Sequence, residues 1–215
     1  MNIVPLYDNI YIVTFENKHL LCSTFMRIQE YYESPIGEFR GNYFTHEDFM
    51  DAYAENNSGR FTYFSDWSGF NVPGNIVLEF FELFDDLNKK ETALYRCVET
   101  IAEIHGDQFY LIGVVGQDQD TLNHELAHAF YYLDKEYKEL MDAITSCWEN
   151  RDEFYKGLET LGYDDSVFMD ETQAYIATST TPYLLDSMSF HRSCPKTYKK
   201  VFENKLFAIN NCHHS

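Results

Sequence analysis

Positive charge is what this chain has least of. Sixteen Lys and Arg stand against 35 Asp and Glu in 215 residues, a formal net charge of −19. Neither half reverses the balance: residues 1–105 carry 7 basic and 17 acidic groups, and residues 106–215 carry 9 and 18. Within 29–86, 12 acids face only Arg40 and Arg60. Such a surface repels a phosphate backbone, which argues against a nucleic-acid partner, and it attracts basic segments. A solvated acidic coat that aids solubility is the plainer reading of the same charge. The cations near the C-terminus, Arg192, Lys196, Lys199, Lys200 and Lys205, read as the solvent face of a terminal helix.

Long apolar runs are missing as well. No stretch approaches the roughly 18 apolar residues that cross a bilayer, and Met1 to Asp8 has neither the basic start nor the apolar run of a signal peptide. The expectation is a cytoplasmic protein, or one exported without a classical signal, with no membrane partner. Cys22, Cys97, Cys147, Cys194 and Cys212 are odd in number and form no CxxC pair, so neither a disulfide framework nor a thiolate metal site is expected. The tail Cys212-His-His-Ser215 reads as a frayed end. Internal repeats, low-complexity tracts and dividing linkers are absent too.

Aromatic side chains are plentiful, at 17% with 18 Phe and 17 Tyr, enough for a substantial core in a chain of this length. The pattern predicts an α+β, mainly helical single domain with a small sheet: 1–116 as a mixed part and 117–215 as a helical part. Ile10 to Phe15 reads as a strand, and His19 to Tyr32 as an amphipathic helix stopped by Ser34-Pro35. Thr45-His-Glu-Asp48 opens a helix through Tyr53. Arg60 to Phe64 reads as a strand, followed by a loop over 65–74 and by helices over 75–87 and through Ile104. In the loop, Trp67 and Phe70 either line a specificity pocket or anchor the segment to the core. Gln108 to Gly116 reads as a strand, and helices follow over 135–148, 151–161, 167–178 and 197–209.

Between that strand and those helices stands His124-Glu125-Leu126-Ala127-His128, which reads HExxH. Leu122, Leu126, Ala129 and Leu133 form an apolar stripe around it, with Asp120 as a plausible N-cap, so the motif sits on a half-buried helix over 122–133. Residues four apart on a helix share a face, and both imidazoles then reach one ion at about 2.0–2.1 Å. Glu125 points near that face without facing the ion. There it can take a proton from a metal-bound water and return it to a leaving amine.

The arrangement resembles the zincin superfamily of metallopeptidases, whose active-site helix carries two zinc-binding histidines and a catalytic glutamate. The resemblance covers this helix and little else of the chain. It implies Zn2+ held by His124 and His128, Glu125 as the base, and a protein or peptide substrate; internal cleavage is expected because no motif for gripping a free amino terminus is recognisable, and the acidic surface would favour basic segments. It also implies that an unpaired strand edge over Phe109 to Val115 pairs with extended substrate.

A catalytic zinc usually takes three protein ligands. Glu171, on the expected helix marked by Phe168, Tyr175 and Ile176, resembles the gluzincin pattern, in which a later glutamate completes the site. Tyr175 stands where better-known gluzincins place an aspartate that orients a histidine, and it suits a role as hydrogen-bond donor. Asp134 is a second candidate ligand, but Tyr131 replaces the glycine that lets a chain turn back to the metal. His191 is a third, or an oxyanion stabiliser, and Asp170 remains open among the carboxylates. Two non-catalytic readings compete: a binding or regulatory protein with a structural metal, and an acidic decoy for a nucleic-acid-binding partner.

Overall fold

A computed structural model describes residues 1–179 and 196–212. The fold is α+β and mainly helical, with one four-stranded mixed sheet among the described residues. The chain divides into two compact units, Met1–Asp118 and Gln119–Ser215.

The first unit runs β1 (Asn2–Tyr7), β2 (Ile10–Phe15), α1 (Lys18–Glu33), α2 (His46–Asn56), α3 (Tyr63–Asp66), β3 (Gly69–Pro73), α4 (Gly74–Leu83), α5 (Lys89–His105) and β4 (Tyr110–Val115). The sheet order is β1-β2-β4-β3. β1 and β3 lie antiparallel to their neighbours, while β2 runs parallel to β4 in register from Ile10↔Tyr110 to Phe15↔Val115. Helix α1 lays Leu21 and Phe25 on the sheet over Gly113, where an added Cβ would come within 2.9 Å of both side chains. That close approach needs glycine in the middle of an otherwise branched strand. The starts of α2 and α5 carry the capping boxes their sequences spell, Thr45 with Asp48 and Asn88 with Glu91.

Three expectations fail in this unit. The Arg60 to Phe64 strand is instead irregular chain over 60–62 that runs into the single turn α3. Thr62 Oγ1 takes a bond from Asn57 Nδ2 and gives one to Asp66, and local side-chain bonds of this kind compete with a ladder. The expected loop contains β3, an edge strand, and Phe70 on it is buried and stacked on Phe25. Trp67 stacks on Phe70 in turn, which makes both rings core anchors. The Phe109 to Val115 segment offers no free edge, because β4 is paired on both sides. β1 was not foreseen: Pro5 and an exposed, polar-flanked pattern hide an edge strand from periodicity.

The second unit comprises α6 (Gln119–Leu133), α7 (Lys135–Ser146), α8 (Arg151–Thr160), a 3-10 turn (Asp165–Val167), α9 (Phe168–Thr178) and α10 (Thr197–Cys212). Asp120 is not the cap of α6 but lies in its first turn, where a carboxylate favours the helix N-terminus. α6 packs on α9 and α7, and Phe130 meets the rings of Tyr137 and Phe202. Tyr198 bonds Thr145 at 2.7 Å and ties α10 to α7. No helix among the described residues is long and apolar enough to cross a membrane, and Cys22, Cys97 and Cys147 are free thiols.

Candidate metal centre

The buried face of α6 turns two imidazoles toward α9. His124 and His128 sit one turn apart with ring centroids at 4.8 Å and their Nε2 atoms 3.2 Å apart. From α9, Glu171 brings Oε2 to 3.8 Å from His124 Nε2 and Oε1 to 3.8 Å from His128 Nε2. Each residue offers one donor atom to a group confined within 4.8 Å. Donors held about 2.0–2.1 Å from a tetrahedral ion stand roughly 3.3 Å apart, close to the 3.2 Å between the two Nε2 atoms, with Glu171 somewhat farther out, so the group could hold a metal ion. The elements set it up simply: a helical i, i+4 pair gives one edge, and the packing of α6 on α9 supplies the apex.

Electrostatics splits the two histidines. Burial, with the neighbouring His128, holds His124 well below the usual histidine range. His128 is equally buried, but Asp170 and Glu171, helped by Glu125, lift it well above that range. The carboxylates thus favour positive charge at His128, while burial disfavours it at His124.

Asp170 is not turned to the donor triangle. Its Oδ1 lies 2.9 Å from His128 Nδ1, the nitrogen facing away from Glu171. An acceptor there fixes the ring and leaves Nε2 turned toward His124 and Glu171. Gln173, fully buried, donates to Asp170 Oδ1 at 2.9 Å and to the Ala127 carbonyl at 3.2 Å.

Glu125 is 7% exposed, and its charge acts on His128, Tyr163 and Tyr175. The Tyr175 ring packs 4.5 Å from that of His124, and its hydroxyl meets the Tyr163 hydroxyl at 2.6 Å. Burial, then the Glu171 charge, raises both phenols, so both stay protonated donors at neutral pH. Asp134 does not join the cluster: it caps α7 through the Glu136 and Tyr137 N–H groups and pairs with Lys205. His191 lies outside the described residues.

Sequence reasoning missed Gln173 and Tyr163 and took Asp170 for a possible ligand. For Asp170 a signal existed: it is next to Glu171 on the helix and so cannot share its direction. Tyr163 stands in the turn before α9, where no periodicity points. Comparison of the chain with protein-family models, with curated proteins and with solved structures finds no match. The chemistry of the site carries the functional reading alone.

Proposed function

We propose that this chain is a zinc-dependent peptidase, with His124, His128 and Glu171 holding the ion and Glu125 acting as general base. The observation that supports it most is the convergence of two imidazole nitrogens and one carboxylate, from two helices, with one donor atom of each within 4.8 Å of the others. Two nitrogens and an oxygen suit zinc, and a three-donor set is the catalytic rather than the structural pattern. When bound, the ion supplies acidification of water from a pKa of 15.7 to about 7.

The chain's own groups would do the rest. Glu125, adjacent to His124 on α6, would take the proton of the attacking water and deliver it to the leaving amine. Tyr175, protonated and packed against His124, would donate its O–H to the carbonyl oxygen as negative charge gathers there. The acidic surface, −19 overall, would draw in peptides rich in Lys and Arg. Internal cleavage is the preferred mode, since no motif for gripping a free amino terminus is recognisable.

The test is Glu125→Gln, assayed on a library of basic peptides with zinc content measured in parallel. Turnover should fall by about 10²–10⁴, the usual worth of a positioned acid–base group, with zinc stoichiometry unchanged. Undiminished cleavage by the variant would overturn the assignment.

A further inference from the structure

We infer that Gln173 is a positioning residue for the metal centre: it holds Asp170 against His128 Nδ1 and thereby sets the direction in which His128 offers Nε2. This role presupposes the metal reading above. The Gln173 side chain lies between three partners with no solvent access. Its amide nitrogen gives one hydrogen to the Ala127 carbonyl on α6 and the other to Asp170 Oδ1 on α9. Its carbonyl oxygen accepts from the Tyr137 hydroxyl of α7 at 3.0 Å. A main-chain carbonyl and a carboxylate can only accept here, and the hydroxyl has a proton to give. The amide therefore has a single satisfactory orientation.

That orientation has a consequence at the metal ligands. Asp170 is about a quarter exposed on its side chain, and a carboxylate at that depth has water as an alternative partner. The Gln173 N–H removes this freedom and keeps Oδ1 2.9 Å from His128 Nδ1. Because the same amide nitrogen binds the carbonyl of Ala127, adjacent to His128 in the chain, the carboxylate and the imidazole backbone are referred to one atom. Tyr137 completes the fixture from a third helix. Glu171, next to Asp170 on α9, is carried to the donor triangle by the same helix register.

Neither residue touches the ion, so the role is read in metal binding rather than in turnover. Zinc affinity would be measured by chelator competition, and coordination geometry by the visible spectrum of the cobalt-substituted protein, for wild type, Asp170→Ala, Gln173→Met and the double variant. Asp170→Ala should lose about 10- to 100-fold in affinity, and Gln173→Met should fall near the lower end of that range. Both should shift the cobalt spectrum, which a purely structural residue would leave alone once the protein is folded. If Gln173 acts through Asp170, the double variant binds zinc no more weakly than Asp170→Ala alone.

Wild-type affinity with an unchanged cobalt spectrum in Gln173→Met would overturn the inference, as would losses that multiply in the double variant. If Gln173→Met does not fold, Gln173→Glu keeps the volume and the Tyr137 acceptor, sets oxygens against Asp170 and Ala127, and is expected to show the same loss. Wild type that takes up no zinc would instead remove the metal reading itself.

Discussion

Arg27 in the first unit and His128 in the second are both buried among carboxylates, and the two environments are built differently. Arg27 has no exposed side-chain surface. Its Nε and Nη2 grip both oxygens of Glu91 at 3.0 and 2.7 Å, its Nη1 meets Asp86 at 2.7 Å, and its plane lies 5.0 Å from the Phe84 ring centroid. Every strong donor there is aimed at a partner inside the cluster, and the charge is cancelled on the spot. At His128 the donor atoms of three residues gather within 4.8 Å of one another, and the carboxylates Asp170 and Glu171 approach opposite nitrogens of the ring. Burial of charge is common to both units; this gathering of donor atoms is found at the second. That geometric difference, more than any pKa shift, separates a structural ion pair from a candidate site.

The largest effect that would sharpen the contrast is expected from Arg27→Met. It strands Glu91, 1% exposed on its side chain, as a buried charge, and should cost about 3–5 kcal/mol in denaturant unfolding. Replacing both partners, Arg27→Met with Glu91→Leu, should recover most of that loss, because a well-packed apolar pair avoids the desolvation of both ions. A double variant as unstable as the single one would mean that the cluster does more than neutralise itself.

The second unit should answer to metal instead. Free zinc at a hundred times its dissociation constant should add about 2.7 kcal/mol to wild-type unfolding. The increment should vanish in His128→Ala and in Glu171→Gln, as read by thermal unfolding with and without a chelator. An increment that survives Glu171→Gln would move the third ligand elsewhere and erase the contrast drawn here.

The contrast was only half legible in the sequence. HExxH announces its chemistry because both ligands come from one helix, and helical spacing alone brings them together. Glu171 was reachable because another amphipathic segment carried an acid toward the same side. The neighbouring positions on one helix separate Asp170 from Glu171 as a ligand, but the contact of Asp170 with His128 and the place of Gln173 depend on how α9 is rotated against α6, a tertiary fact with no local signature. Arg27 gave no warning: an arginine in an apolar helix face reads as an amphipathic edge until the partners Asp86 and Glu91, distant in sequence, are known. The capping boxes and the strands β2 and β4 were legible because their causes are local, whereas β1 and β3 are edges whose pairing lies in other parts of the chain.

The smallest effect concerns acid. Burial pushes the Glu91 carboxyl up, but hydrogen bonds from His46 and Arg27, with the Asn88 N–H, bring it below its ordinary 4.5. The Asn88 amide, 3.1 Å from His46 Nε2, can only donate. Arg27, bonded to both Glu91 oxygens at 3.0 and 2.7 Å, is the nearer partner, while His46 Nε2 stands 3.5 Å from Oε1. With the folded pKa below the unfolded one, the unfolded chain binds the proton first. The stability Glu91 contributes is then complete above about pH 4.5 and is lost as the pH falls through its lowered folded pKa. Glu30, raised by burial despite bonds from Ser34 and Tyr63, has the opposite sign: it costs nothing in acid and destabilises as the pH rises through its raised pKa. Denaturant unfolding at neutral pH and well below pH 4.5 separates the two. Glu91→Gln should be less stable than wild type at neutral pH by a margin that narrows in acid, and Glu30→Gln should gain on wild type only toward neutral pH. Margins that do not change with pH would show that these carboxylates are held by packing rather than by charge.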